Sequence, residues 1–244
     1  MPYIKEICLA GNMLEVRKYH TLRYNVKGEK RNVRNKETCD CQKKVNYYEA
    51  LRKLTRLMAA NFTDDTGMLV TLTYLKDKRP GTSTDMQKDI ELFLRRIRKV
   101  FKKSGLTLKY IYVKELGKRG AAHVHILMSV CDIRIIRDCW DKGGIDAKAL
   151  WSGGDYSAIA KYFLKYSLET EETEGRLIGK RWYPSRNLKK PLIIKKIVKA
   201  NTFNMRIKAI DGYVLDPNTL KSGYTEFGYK YLTYTMRKVA PVQV

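Results

Sequence analysis

The chain has 244 residues, 44% hydrophobic and 30% charged, which is typical of one soluble globular domain, or one with an extension, and excludes a disordered chain. Lysine and arginine number 49 against 25 acidic residues, and the net charge of +24 favours a nucleic-acid partner, because each neutralised phosphate releases counterions. Five irregularly spaced cysteines argue against a disulfide framework. No apolar run approaches the roughly 20 residues of a membrane helix, and residues 1–10 lack an apolar core of signal-peptide length, so we expect a cytoplasmic protein without a membrane partner. A membrane surface is the weaker alternative partner for the positive charge.

The first half of the chain alternates between helical and extended patterns. Apolar residues at helical spacing predict helices, and strict alternation predicts a strand in which Thr71 and Thr73 share one face. The elements expected here are a basic arm or extra strand over 1–45, a helix over 47–62, a strand over 68–74, and a helix from an N-cap at Thr84 to about Lys103, closed by Gly105.

The second half adds a hairpin, two helices and further strands. The expected elements are strands over 107–116 and 121–130 joined at Gly117 to Gly120, a helix over 132–140, a strand over 144–150, a helix over 157–168, an acidic loop over 169–174, and strands over 202–215 and 225–236. This order predicts an α+β fold with a central, mainly antiparallel sheet flanked by helices. We expect the main domain at 46–200, and 201–244 as an extension that either completes this domain or stands apart from it.

Two of the three histidines lie in the motif His123-Val124-His125. Alternate strand residues share a face, so both imidazoles point the same way. Glu115, near the end of the preceding strand, joins them if the hairpin places it opposite one of them. Two imidazoles and a carboxylate leave coordination positions open, which favours Mg²⁺ or Mn²⁺, with Zn²⁺ an alternative in vitro. The alternative interpretation is a pair of half-exposed histidines without a metal. His20 has no such context, and we expect it at the surface.

The helix over 157–168 carries paired tyrosines. Tyr162 and Tyr166 are four residues apart and share a face opposite the apolar arc. A tyrosine hydroxyl, with a pKa of about 10, is a poor nucleophile, yet it can attack a phosphodiester when a metal polarises the phosphate. Lys165 can neutralise that phosphate. The alternative is an amphipathic helix with partly exposed aromatic side chains. The apolar arc consists of Ala160, Phe163, Leu164 and Leu168.

Four segments together resemble the rolling-circle replication initiators of the HUH superfamily. Val70 to Tyr74 looks like their first motif, and His123 to His125, after Gly117 to Gly120, resembles their metal motif. Tyr162 to Tyr166 is similar to the tyrosine motif of the two-tyrosine members, found in small single-stranded DNA phages and some plasmids. Trp182 to Lys189 also looks like an initiator segment. The resemblance covers about residues 68–190, and the tyrosines follow the histidines, unlike in conjugative relaxases.

The resemblance implies an HUH endonuclease domain with a ferredoxin-like, RRM-like core over 46–200. It implies nicking of single-stranded origin DNA through a 5′-phosphotyrosine intermediate, followed by rejoining. Tyr162 with Lys165 also satisfies the Tyr-x-x-Lys pattern of single-tyrosine initiators, and Glu169 stands near the place of a further lysine in two-tyrosine members. Tyr162 is therefore the first choice of nucleophile and Tyr166 the conditional partner.

The implied site residues fall into three groups. They are Tyr162, Tyr166 and Lys165 for catalysis; Glu115, His123 and His125 for the metal; and Thr71, Thr73, Arg119 and Arg186 for DNA binding or support. The implied partners are single-stranded DNA or an origin hairpin, with a host polymerase in a bacterial cell. No GxxxxGK[ST] motif occurs, so a host helicase is expected as well.

Two other functions fit the same residues. An HUH transposase uses the same cut-and-join chemistry on element ends. A non-catalytic basic protein would bind nucleic acid without a metal and would form no covalent adduct.

Overall fold

The fold is described from a computed structural model. It describes residues 1–21, 40–116, 121–150, 153–174, 180–225 and 228–239, with only the backbone for Leu116 and for residues 166–174. The chain divides into two compact units: the first joins Met1–Ala60 with Lys190–Val244, and the second is Asn61–Lys189.

Ten strands and four α-helices make up the described chain. The strands are β1 (Tyr3–Ala10), β2 (Met13–His20), β3 (Gly67–Thr73), β4 (Tyr110–Leu116), β5 (Ala122–Ser129), β6 (Ile145–Ala149), β7 (Tyr183–Pro184), β8 (Leu192–Val198), β9 (Tyr213–Tyr224) and β10 (Lys230–Lys238). The helices are α1 (Asp40–Ala59), α2 (Ser83–Lys103), α3 (Ile133–Cys139) and α4 (Ser157–Glu174).

The second unit is built on an antiparallel sheet in the order β6-β3-β5-β4-β7. One face is apolar: Val70, Val124 and Ile126 are buried there against α2 and α3. Since strand side chains alternate between faces, the neighbouring Thr71 and His125 point to the opposite face, which α4 covers. One face of the sheet is therefore mainly apolar, whereas the other carries polar side chains beside its buried apolar ones.

The first unit is a second antiparallel sheet in the order β8-β1-β2-β10-β9, with α1 in the same unit. Its apolar cluster includes Val16 and Leu232. On the other face Arg56 of α1 donates hydrogen bonds of 2.6 Å each to Glu6 and Glu15. These three residues are buried and are called the buried ion cluster.

The predicted α+β class and the antiparallel pairing are confirmed, with two five-stranded sheets in place of one central sheet. The strands expected over 68–74, 107–116, 121–130 and 144–150 all form, with slightly different ends. In the first unit the prediction was less complete. Residues 1–20 form two strands, 202–210 contain none, and β8 was not predicted.

Two local predictions were wrong. Residues 169–174 continue α4 instead of forming a loop, because glutamate is a good helix former and the first helix breaker is Gly175. The N-cap of α2 is Thr82, not Thr84: its hydroxyl accepts a hydrogen bond from the Asp85 amide, and Asp85 stands at the third helical position as in a capping box.

Two further findings bear on the expected organisation. The unit that holds β3 to α4 spans residues 61–189, a narrower range than the expected 46–200. The division into 1–45, 46–200 and 201–244 stays a prediction.

Within the described residues, no helix combines the length and the apolarity that crossing a bilayer requires.

Candidate metal and tyrosine site

Strand register brings three potential metal ligands together on the α4-covered face of the second sheet. Glu115 of β4 lies directly opposite His123 of β5, the pairing on which the sequence prediction depended. His125 follows two residues later and therefore shares the face. Glu115, His123 and His125 are called the triad.

The donor atoms of the triad converge. Glu115 Oε2 lies 3.2 Å from His123 Nδ1 and 2.8 Å from His125 Nε2, and the three ligand atoms all fall within 4.8 Å of one another. His125 is 4% exposed, whereas the His123 side chain is 36% exposed. The triad is thus anchored in the protein on one side and open to an incoming ligand on the other.

The charge state of Glu115 suits a cation. Burial raises its pKa, but the hydrogen bond and charge of His125, followed by those of His123, outweigh burial and hold the pKa below its ordinary value. A carboxylate that stays ionised next to two imidazole nitrogens is a donor set that divalent metals accept, with positions left open for oxygen ligands. The residues present therefore fit a divalent ion.

The second ring nitrogen of His125 contacts two hydroxyl groups. Its Nδ1 lies 3.2 Å from Thr71 Oγ1 and 3.3 Å from the Tyr162 hydroxyl. Partners on the far nitrogen fix the ring orientation of a metal-ligating histidine and tune its basicity. The expected supporting role of Thr71 thus has a specific contact behind it.

Tyr162 lies next to His125 because the apolar side of α4 packs against the protein. Its neighbours Ala160, Phe163 and Leu164 are fully buried, which fixes the rotation of the helix about its axis. The phenol ring then meets the His125 ring edge-on at 5.2 Å between centroids, while the residue stays 41% exposed. The hydroxyl is held beside the triad and remains accessible to a substrate.

The other predicted site residues are placed differently. Thr73 shares the triad's face, but its hydroxyl bonds to the backbone of Gly144, which makes it a support for the adjoining loop. Lys165 is exposed on α4, three residues after Tyr162. The side chain of Tyr166 and all of Arg119 lie outside the described residues.

Arg186 is not part of the triad's surroundings. It lines a hollow at the other end of β4 with Arg98 and Lys102. The neighbouring residue, Ser185, is attached to the start of β4: its hydroxyl accepts a hydrogen bond of 3.1 Å from the Tyr110 amide. His20, expected at the surface, is instead half-buried in the first unit, where its ring stacks on Phe203.

Sequence reasoning missed two charged residues near Tyr162. Asp146 and Lys148 of β6 form an ion pair of 3.0 Å and line a hollow that Tyr162 also lines. The only signal in the sequence was the alternation Ile-Asp-Ala-Lys-Ala of the predicted strand, which places both charges on one face without showing which one.

The fold and the site define an α+β protein that carries a candidate divalent-metal triad on an antiparallel sheet, beside a tyrosine on a helix. Residues 67–171 match the model of the family described as Replication-associated protein ORF2/G2P. The match covers somewhat less than half of the chain and includes the triad and Tyr162, and it confirms the resemblance to replication initiators for this segment. Neither the curated proteins nor the solved structures contain a match.

Proposed function

We propose that the protein is a rolling-circle replication initiator that nicks single-stranded origin DNA with Tyr162 and later rejoins the strands. The observation that carries this proposal is the 3.3 Å contact of the Tyr162 hydroxyl with His125, whose other nitrogen meets Glu115 at 2.8 Å. Metal-assisted phosphoryl transfer needs the nucleophile near the residues that hold the ion, and this contact places Tyr162 there.

Glu115, His123 and His125 would hold Mg²⁺ or Mn²⁺, which suit mixed imidazole and oxygen ligands with phosphate oxygens in the open positions. The three residues would thereby place a Lewis acid beside the scissile phosphate. His125 holds the phenol in place through its Nδ1 contact with the Tyr162 hydroxyl, and Thr71 helps to fix the His125 ring through its own contact with the same nitrogen. Lys165, three residues beyond Tyr162 on α4, supplies positive charge for the phosphate oxygens.

In the cleavage step the Tyr162 oxygen bonds to phosphorus and loses its proton. The bond from phosphorus to the 3′ oxygen breaks, and that oxygen takes up a proton to become a free 3′-hydroxyl that primes synthesis. The 5′ end stays attached as a phosphotyrosine, which conserves the energy of the broken bond. Rejoining is the reverse reaction with a new 3′-hydroxyl.

Tyr166, one helical turn further along α4, is proposed as a second nucleophile that cuts the regenerated origin. The sequence spacing of four residues supports this, because side chains at that spacing neighbour each other on a helix.

The path of the DNA is proposed to follow basic surface away from the triad. Arg186, Arg98 and Lys102 face one hollow, and such clusters bind phosphate without regard to base sequence. Arg119, in the connection between β4 and β5, is proposed as a further DNA contact. A host helicase and polymerase complete the proposed replication reaction.

The proposal is tested with a pool of single-stranded DNA labelled at the 3′ end and incubated with Mn²⁺. A covalent adduct on a denaturing gel is expected for the wild type and for Tyr48→Phe, a matched variant at an exposed tyrosine of α1. Tyr162→Phe should lower adduct formation at least about a thousandfold, and Tyr166→Phe should retain the first cut.

Different results would overturn the proposal. An adduct that survives in the Tyr162→Phe, Tyr166→Phe double variant would exclude both nucleophiles. DNA binding that ignores EDTA, with no adduct at all, would indicate a non-catalytic protein. Sequencing of the nick separates a replication origin from the paired ends that a transposase would cut.

A further inference from the structure

A hollow of about 290 Å³ opens beside Tyr162, between α4 and the strands β3, β5 and β6. We call it the Tyr162 hollow. Its lining is largely aliphatic and aromatic. Its lining includes Leu69, Ile159 and Phe163, with Thr71, Asp146 and Lys148 as polar members.

The hollow is connected to the triad through the register of the sheet. Thr71 of β3 lies opposite His125 on one side and opposite Asp146 on the other. The three residues form one row on the α4-covered face, so Asp146 stands two strand spacings, about 10 Å, from His125. A group bound in the hollow is therefore a close neighbour of any phosphate held at the triad.

The polar groups of the hollow are few and paired. Asp146 and Lys148 form an ion pair of 3.0 Å, and both side chains are well exposed. They present a hydrogen-bond acceptor next to a donor at the edge of an otherwise apolar space. A carboxylate in this place disfavours a phosphate group, because like charges repel.

We propose that the Tyr162 hollow binds the base of a nucleotide next to the scissile phosphate, an assignment that rests on the proposed nicking function. A nucleobase has flat apolar faces, which suit the aliphatic and aromatic walls, and one polar edge. Asp146 accepts a hydrogen bond from an exocyclic amino group, as carboxylates do from cytosine N4. Lys148 donates to the neighbouring ring acceptor.

The proposal predicts which bases are used. Cytosine, adenine and guanine carry an exocyclic amino group and thymine does not, so thymine is disfavoured at this one position. The hollow thus gives the enzyme a sequence preference beside the nick, which the proposed phosphate contacts of Arg186, Arg98 and Lys102 do not supply.

The test begins by locating the nick with wild-type protein and sequencing both products. Oligonucleotides that differ by one base at a time on either side of the nick are then compared for adduct formation. We expect one position at which wild type disfavours thymine by about tenfold. Asp146→Ala should reduce this ratio to less than about twofold, whereas Asp138→Ala, which removes the same charge from α3 on the opposite face of the sheet, should leave it unchanged.

Asp146→Asn provides a second test, because it should raise the use of thymine, a result that a folding defect would not produce. Asparagine keeps an acceptor and adds a donor that can meet thymine O4, so the use of thymine at that position should rise relative to the wild type. A thymine preference that is the same in wild type, Asp146→Ala and Asp146→Asn would overturn the inference, as would the absence of any base preference beside the nick.

The two proposals fail separately. If no oligonucleotide forms an adduct, the nicking function fails, and the hollow is then tested with the four deoxynucleosides by saturation-transfer NMR on their base protons. Contacts for deoxycytidine that disappear in Asp146→Ala would support the hollow as a base site. Equal signals in both proteins would overturn it.

Discussion

Both units of the protein place carboxylates on one face of an antiparallel sheet, and they neutralise them in different ways. In the first unit, Glu6 and Glu15 are matched by Arg56 from α1 of the same unit. In the second unit, Glu115 is matched by two histidines, of which His123 is open to solvent. An arginine is always charged and completes the cluster, whereas imidazole nitrogens can be shared with a metal ion. The comparison separates a charge cluster that holds the fold from one that is available for chemistry.

Removal of a triad ligand is expected to have the largest effect on metal binding. His125→Ala should weaken Mn²⁺ binding by more than about a hundredfold, because loss of an outer partner alone costs 10- to 100-fold. Titration calorimetry measures this, with His20→Ala in the first unit as the matched control. Equal Mn²⁺ affinity in the wild type and His125→Ala would show that the ion binds elsewhere.

Disrupting the buried ion cluster should lower the free energy of unfolding and leave the proposed metal ligands unchanged. Arg56→Met leaves two buried carboxylates without their arginine and should lower the free energy of unfolding by about 3–5 kcal/mol. Arg52→Met, one turn earlier on α1 and 3.7 Å from Glu15, should cost no more than about 1 kcal/mol. Urea denaturation followed by circular dichroism checks both values, and similar losses in the two variants would contradict the role assigned to Arg56.

The same cluster should make stability depend on acid pH. Burial raises the pKa of Glu6, but the hydrogen bond and charge of Arg56, with Arg17 and Lys195 nearby, outweigh burial and bring it to about 2. Because the folded pKa lies below the unfolded value, the stabilisation is complete above about pH 4.5 and is lost as the pH falls through about 2, to a total of about 3 kcal/mol. Glu6→Gln should flatten the dependence of unfolding free energy on pH in this range, and an unchanged slope would contradict it.

The smallest expected effect concerns the hydroxyl that contacts His125. Thr71→Val keeps the shape of the side chain and removes the hydroxyl, and should weaken Mn²⁺ binding by about tenfold. Thr71→Ser, which retains the hydroxyl, should bind the ion within about twofold of the wild type. A Thr71→Val variant with wild-type affinity would reduce Thr71 to a packing residue.

The second unit could largely be predicted because its signals are local. The alternation in β3 and β5 and the short connection from β4 to β5 link residues close in sequence. They predicted that Glu115 joins the histidines if the hairpin pairs it with one of them, and the register of the structure supplies that pairing, with His123. The first unit could not be predicted in this way. Its sheet pairs β1 with β8 and β2 with β10, whose partners are about 180 to 220 positions apart, and pairings at such separations leave no periodic pattern in a single sequence.

The sequence by itself determined which residues share a strand face or a helix face, and therefore the histidine pair and the apolar arc of α4. Only the tertiary structure decided that Tyr162 turns toward His125, that Asp146 lies in the same row, and that Arg56 joins Glu6 to Glu15. Periodicity follows from backbone geometry within one element, whereas these contacts depend on how separate elements pack.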